Sequence, residues 1–375
     1  MPSSVEAPVS AVRRLIRLAL GDPAKFAALR PADMDLAIRL MRRAQLLSRL
    51  GWRVREAGLL ESLPPPARDA LVGALNYAES QTRLVLWELE RVEWALRNDP
   101  DIRLITMKGC AYRLAGLPNA GGRLFADLDL LVSEADLPRV EERLRAHGWL
   151  SPELRPYDEK YYRLWTHELP PMRHVERDVE VDLHHNMLMR TARLRPDARR
   201  LLERARFEQR TGVLAPTDMV LHAMTHLFFG SDFHDDLRGL VDIDEMLRHF
   251  GATEPGFWDE LCPRAMQLDL ARPLYYGLRY AARLLGTAVP PSVLKAADAF
   301  APPALVIGLM DALVPRALFP QHPEAASRLG SLARLCLYIR SHWVRMPPIL
   351  LVRHLAAKSW FRARSPHRAG GETPA

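Results

Sequence analysis

The segment Ala126-Asp-Leu-Asp-Leu-Leu-Val132 constrains the chain more than any other. In an extended strand side chains alternate between faces, so Ala126, Leu128, Leu130 and Val132 share one face and Asp127 and Asp129 the other. Two carboxylates at i and i+2 can approach to roughly 5 Å, where an effective dielectric of ~20 leaves a repulsion on the order of 3 kcal/mol. The apolar flanks predict a largely buried strand, which raises that cost. A divalent cation removes it. Mg²⁺ is usually held by one or two carboxylates together with substrate phosphates, and paired ions about 4 Å apart serve in-line phosphoryl displacement.

A third acid is expected on a neighbouring strand. Val179-Glu-Val-Asp-Leu-His184 alternates in the same way and puts Glu180, Asp182 and His184 on one face. Asp127, Asp129 and Asp182 form the candidate catalytic and metal-binding triad. Glu180 is the substitute if the register shifts by two, and His184 could orient a substrate or a ligating carboxylate. Arg173-His-Val175 could pair with this strand as a hairpin. Upstream, Ile102 to Met107 reads as a strand ending at Lys108-Gly109. Ala111 to Leu117 allows about two helical turns, and Gly116, Pro118, Asn119, Gly121 and Gly122 force a loop. Phosphoryl chemistry rests on positioning and charge neutralisation, so Lys108 and Arg123 are candidate phosphate contacts. Lysine is a selective choice here, since only five of the 52 basic residues are Lys. Gly109, between strand and helix, is a candidate for close backbone approach to a phosphate.

A glycine turn, a strand with two alternating acids and a later strand with a third resembles the nucleotidyltransferase superfamily related to polymerase β. The form Met107-Lys-Gly109, Gly122-Arg123, Asp127-Leu-Asp129-Leu-Leu-Val132 and Asp182-Leu-His184 is similar to a bacterial family of uncharacterised nucleotidyltransferases. The close resemblance covers roughly residues 100 to 190, and a looser helical one runs to about 290. Where the superfamily carries Gly-Ser, this chain carries Gly109-Cys110. The resemblance implies an NTP bound with Mg²⁺ or Mn²⁺, NMP transfer to a hydroxyl acceptor and release of pyrophosphate. The acceptor stays open between a small molecule, RNA and protein. The alternative is a non-catalytic module that binds nucleotide or protein on the same scaffold.

The fold class that follows is α+β: a small mixed nucleotidyltransferase-type sheet flanked by helical regions at both ends. The expected division is 1–98 helical, 99–190 core, 191–360 helical and 361–375 disordered tail. In 10–98, Val12 to Leu20, Met34 to Leu50 and Asp69 to Leu96 have helical periodicity, the last expected to lie on the catalytic sheet. Residues 151–173, with four prolines, read as mostly loop and as a candidate flap over the site. Beyond 191 the chain reads as helices at Met219–Phe228 (capped by Thr217-Asp218), Leu237–Phe250, Trp258–Gln267, Pro273–Leu285 and Leu332–Val344. His222 and His226, at i and i+4, with His234, Asp235 and Asp236 form a second polar cluster. HxxxH can bind metal, but the glutamate of HExxH is missing, so a polar seam on the acceptor side is the preferred reading over a phosphohydrolase. Asp242 and Asp244, at helical spacing, read as capping or solvated residues.

Net charge is +7, and residues 331–375 alone hold eight Arg or Lys against Glu372. The basic character is therefore a tail property rather than a nucleic-acid footprint. That tail, where Trp343, Trp360 and Phe361 interleave with Arg345, Arg353, Lys358 and Arg362, could make a weak contact with an anionic surface. Cys110, Cys262 and Cys336 are too few and too far apart for a disulfide framework or a CxxC zinc site. No secretory leader or membrane span is read, and a cytoplasmic location is expected.

Overall fold

The computed structural model describes residues 6–230, 233, 236–320 and 328–353. Seven strands, β1 (Leu104–Thr106), β2 (Asp127–Leu131), β3 (Trp149–Leu150), β4 (Met172–His174), β5 (Glu180–His184), β6 (Arg206–Glu208) and β7 (Thr211–Val213), form one mixed sheet in the order β3-β4-β5-β2-β1-β7-β6. β2 is central, parallel to β5 and antiparallel to β1. The hairpin expected around residues 173–184 forms as β4 and β5, with Arg173 opposite Glu180.

The N-terminal region is helical: α1 (Glu6–Gly21), α2 (Pro23–Ala27), α3 (Pro31–Arg43), α4 (Leu47–Glu56) and the long α5 (Pro65–Ala95). The single helix read over Met34–Leu50 is two. Gln45 adopts a left-handed conformation, φ 55°, and Leu46 N–H donates to Met41 O while Gln45 N–H donates to Arg42 O. That pairing is the Schellman motif that ends a helix. Glycine usually occupies the left-handed position; with glutamine there, the sequence carries no break signal. The triple proline opens α5, because Pro65 needs no amide partner in the first turn.

α5 lies on one face of the sheet. Val85, Leu89 and Val92 pack with Leu128, Leu130, Val181 and Leu183, joined by Val140 and Leu144 of α7 (Leu137–Ala146), which follows α6 (Lys108–Leu114). The other face carries Ile105 and Leu131 and meets the C-terminal helices. α8 (Pro156–Trp165) lies between β3 and β4, and the C-terminal helices are α9 (Arg199–Leu202), α10 (Pro216–Thr225), α11 (Leu237–Thr253), α12 (Phe257–Gln267), α13 (Ala271–Tyr280), α14 (Pro291–Ala297), α15 (Ala304–Leu318) and α16 (Arg328–Arg345). α10 and α13 each run on into a π turn, at His226–Gly230 and Ala281–Leu285. Leu237 and Val241 of α11 also pack into the N-terminal core.

Three expectations need correction. Residues 151–173 are not mostly loop: α8 starts at Pro156 and has Asp158 and Glu159 in its first turn, so the proline marks a helix start. The sheet runs past 190, because β6 and β7 pair as a hairpin and β7 adds to β1 in parallel. Its two-residue turn is Gln209-Arg210, with Gln209 at φ 59°, and lacks the glycine that would announce it. Thr217 and Asp218 do not cap α10. Both are buried in its first turn, where Asp218 accepts from Arg264 Nε at 2.7 Å and Nη2 at 2.8 Å. The tail at 361–375, with Lys358, Trp360, His234 and Asp235, lies outside the described residues. Among the described residues no single helix is long and apolar enough to cross a membrane.

Candidate active site

The register of β2 against β5 builds the site. Asp129 is opposite Asp182, Asp127 opposite Glu180 and Leu131 opposite His184, and paired residues on neighbouring strands share a face. Asp129 is 2% exposed. A ligand atom from each of Asp129, Asp182 and His184 lies within 4.8 Å of the others. Asp127, half-buried at the start of β2, belongs to no such trio among the described residues. Glu180 sits at the rim, paired with Arg173 at 3.0 Å.

Lys108 closes the acid pair from above. It has a left-handed backbone, φ 48°, which turns the chain sharply from β1 into α6, and Met107 N–H donates to Asp129 O at 3.0 Å. The Lys108 ammonium comes 2.7 Å from Asp129 Oδ1, and His184 Nε2 comes 3.0 Å from the same oxygen. Asp129 can only accept, so the ring proton sits on Nε2.

The charges respond to this packing. Burial pushes Asp129 up, but Lys108 and then His184 outweigh it and hold the carboxyl well below its ordinary value. Burial works against the Lys108 ammonium, and the Asp129 and Asp127 charges more than offset it, so the group stays above its usual range. Burial raises Asp127, with the Asp129 charge adding. Asp182 is pushed up to about 8 by burial, then by the charges of Asp129 and Asp127, against the opposing His184.

Arg123 follows the glycine loop. Its Nε donates to Asp242 at 3.1 Å, and its guanidinium lies 5.3 Å over the Tyr112 ring. Asp242, read as capping or solvated, is therefore a buried partner. Asp244 accepts from Arg248 and Thr287. Gly109 is needed for this packing, because a Cβ there would meet Arg123 and the Phe125 ring. Arg238 of α11 donates to Leu124 O at 3.3 Å and is held below its usual value by burial and then by Arg123.

His222 and His226 face the acids from α10 and its π turn, with ring centroids 6.4 Å apart. Burial, then the Lys108 charge, lowers His222 to about 3 and His226 well below its ordinary value. His226 nevertheless keeps exposed surface. Both are neutral at pH 7.

Three features escaped the sequence: His167, Glu168 and Arg238. Glu168 is bridged antiparallel to His184, and its carboxylate reaches to 3.3 Å from His184 Nδ1. No periodicity announces a one-residue bridge. Arg238 is one of two arginines on amphipathic α11, and no motif singles it out.

Fold and site together define an α+β chain in which adjacent strands bring buried Asp129 and half-buried Asp127 and Asp182 to one face beside Lys108. The family model described as "Uncharacterised nucleotidyltransferase" matches residues 30–286, and the chain belongs to that family. Comparison with curated proteins and with solved structures found no match.

Proposed function

We propose that the chain is a metal-dependent nucleotidyltransferase of the polymerase-β-like kind, which moves an NMP from an NTP to a hydroxyl acceptor and releases pyrophosphate. The family and the register pair of buried Asp129 with half-buried Asp182 support this reading most directly. Asp127, Asp129 and Asp182 offer oxygen donors on one face of the sheet, and Asp182 is pushed up to about 8 by burial and then by the Asp129 charge. That donor set fits Mg²⁺ or Mn²⁺. When bound, the ion would neutralise charge on the triphosphate and on the acceptor oxygen.

The protein's own groups divide the remaining work. Lys108, Arg123 and the Gly109 backbone belong to the phosphate side. Asp182 is positioned to take the acceptor's proton. His184 fixes the orientation of Asp129, and neutral His222 and His226 line the acceptor side with Glu180 at the rim. We read the chain as a bacterial, cytoplasmic enzyme whose acceptor is a small molecule, RNA or protein.

The test is incubation with labelled NTPs and Mg²⁺ or Mn²⁺, beside Asp127→Asn and Asp129→Asn, each checked for folding by circular dichroism. Pyrophosphate release is expected to fall by about 10²–10³-fold in both variants, the scale of losing one electrostatic stabiliser. Turnover surviving both changes refutes the reading. Nucleotide binding without turnover in the unaltered chain points to the binding module instead.

A further inference from the structure

We propose that His167, Glu168 and His184 form a separate metal site for a borderline divalent ion of the zinc or cobalt class, beside the acid triad and sharing His184 with it. This goes beyond the nucleotidyltransferase reading and does not depend on it.

The backbone fixes the three residues together. Glu168 bridges His184, His185 N–H donates to His167 O at 2.8 Å, and Leu169 N–H donates to Leu183 O at 2.9 Å. Thr166 Oγ1 lies 2.6 Å from both Tyr162 O and Glu168 O and holds the turn out of α8. One ligand atom from each of the three lies within 4.8 Å of the others.

His184 carries the inference furthest. The residue is 4% exposed. Its Nε2 proton is committed to Asp129, which leaves Nδ1 directed at the Glu168 side. Nδ1 stands 3.3 Å from Glu168 Oε2 yet is buried with no hydrogen-bond partner, because the two are not aligned for one. A divalent ion between Nδ1 and that carboxylate oxygen would satisfy both atoms. With metal–ligand bonds of ~2.0–2.1 Å, a 3.3 Å edge subtends roughly 107°, close to tetrahedral. His167 supplies the third donor: its Nε2 is 3.8 Å from the same Glu168 oxygen, and its Nδ1 is also buried without a partner.

Two imidazoles and one glutamate are a donor set that binds zinc with a position left open, and imidazole suits zinc and cobalt better than magnesium. The arrangement also supplies what a ligating histidine normally has, a carboxylate on its other ring nitrogen, here Asp129. Metal at this site would therefore bear on the acid triad through one shared ring.

The test uses the chelator-treated full chain titrated with Co²⁺, whose visible absorption reports tetrahedral nitrogen and oxygen coordination, with Zn²⁺ and excess Mg²⁺ as competitors. One equivalent of Co²⁺ is expected to bind, to be displaced by Zn²⁺ and to resist Mg²⁺. Glu168→Gln and His167→Ala are expected to weaken it at least tenfold, the lower bound for losing even an outer partner of a metal site. Asp127→Asn is expected to leave it unchanged, and far-UV circular dichroism checks each fold. Absence of the absorption, equal affinity in Glu168→Gln and His167→Ala, or loss of binding in Asp127→Asn alone overturns the proposal. An intact Co²⁺ site in a chain that transfers no nucleotide would overturn only the proposed function.

Discussion

Replacing Lys108 by methionine tests how the site is balanced without a ligand. The ammonium lies 2.7 Å from Asp129 Oδ1, and the carboxyl is almost fully enclosed. Removing one partner of such a pair strands a buried charge and costs about 3–5 kcal/mol. Protonation sets a ceiling: keeping a carboxyl of ordinary value ~3.9 neutral at pH 7 costs about 4 kcal/mol. His184 still donates to Asp129, so Lys108→Met is expected to destabilise the metal-free chain by about 3 kcal/mol at pH 7. The sign in pH follows. Asp129 sits well below its unfolded value in the unaltered chain, so its contribution is present above that value and is lost as pH falls through the folded one. In the variant the proton escape becomes cheaper by about 1.4 kcal/mol per pH unit. The gap between the two proteins should shrink as pH falls from 7 towards 4. Urea unfolding at several pH values measures it. If Asp129 takes part in a divalent site, Mg²⁺ or Mn²⁺ at millimolar concentration should recover more stability in the variant than in the unaltered chain. A loss below about 1 kcal/mol, or a gap independent of pH, refutes the reasoning.

Other outcomes follow from particular contacts. Asp218→Asn should destabilise by about 3–5 kcal/mol, because Arg264 stays buried with its bidentate partner gone; the double variant Asp218→Leu/Arg264→Met should lose less than the two single changes added, read by urea unfolding. His222, lowered to about 3, stays neutral in the folded chain while the unfolded chain takes a proton below ~6.5, so stability should fall by about 1.4 kcal/mol per unit as pH drops from there. His222→Asn should flatten that acid limb, and an unchanged limb in pH-dependent unfolding would contradict the assignment. Gly122, at φ 67°, has the Ser48 carbonyl where a Cβ would go; Gly122→Ala should cost about 2–4 kcal/mol from left-handed strain and overpacking, visible as a lower thermal midpoint.

The site was legible where chemistry repeats along one strand. Alternation alone put Asp127 and Asp129 on one face and Asp182 and His184 on another, and pairing in register then joined the two faces. What stayed hidden depended on contacts between distant segments. Gln45 and Gln209 make turns without glycine, so composition gave no punctuation. Pro156 was ambiguous because the same residue both breaks a helix and starts one. The acid pair was expected to need a metal to be tolerable, yet Lys108 and His184 already neutralise Asp129; only the three-dimensional placement of a left-handed lysine reveals that.

The same placement changes what the N-terminal helices do. Beyond covering the core, α4 holds the loop that delivers Arg123. Arg49 Nη1 donates to Pro118 O at 2.5 Å and Gly121 O at 2.6 Å, and Ser48 Oγ donates to Gly122 O at 2.7 Å. Arg49 also pairs with Glu245 of α11, the helix that presents Asp242 to Arg123. Loop, cation and acid are thus clamped from two sides by one buried arginine. Burial lowers that arginine to about 10, still far above neutral, so it stays charged. The family match begins at residue 30 and ends at 286, a span that takes in α4, the sheet and α11. The clamp therefore lies wholly inside the matched span, whereas α1, α2 and α14 to α16 fall outside it. If the clamp positions Arg123, Arg49→Met should weaken nucleotide affinity while leaving the Asp129–Lys108 pair intact. An unchanged affinity in a folded Arg49→Met chain would leave α4 with a purely structural role.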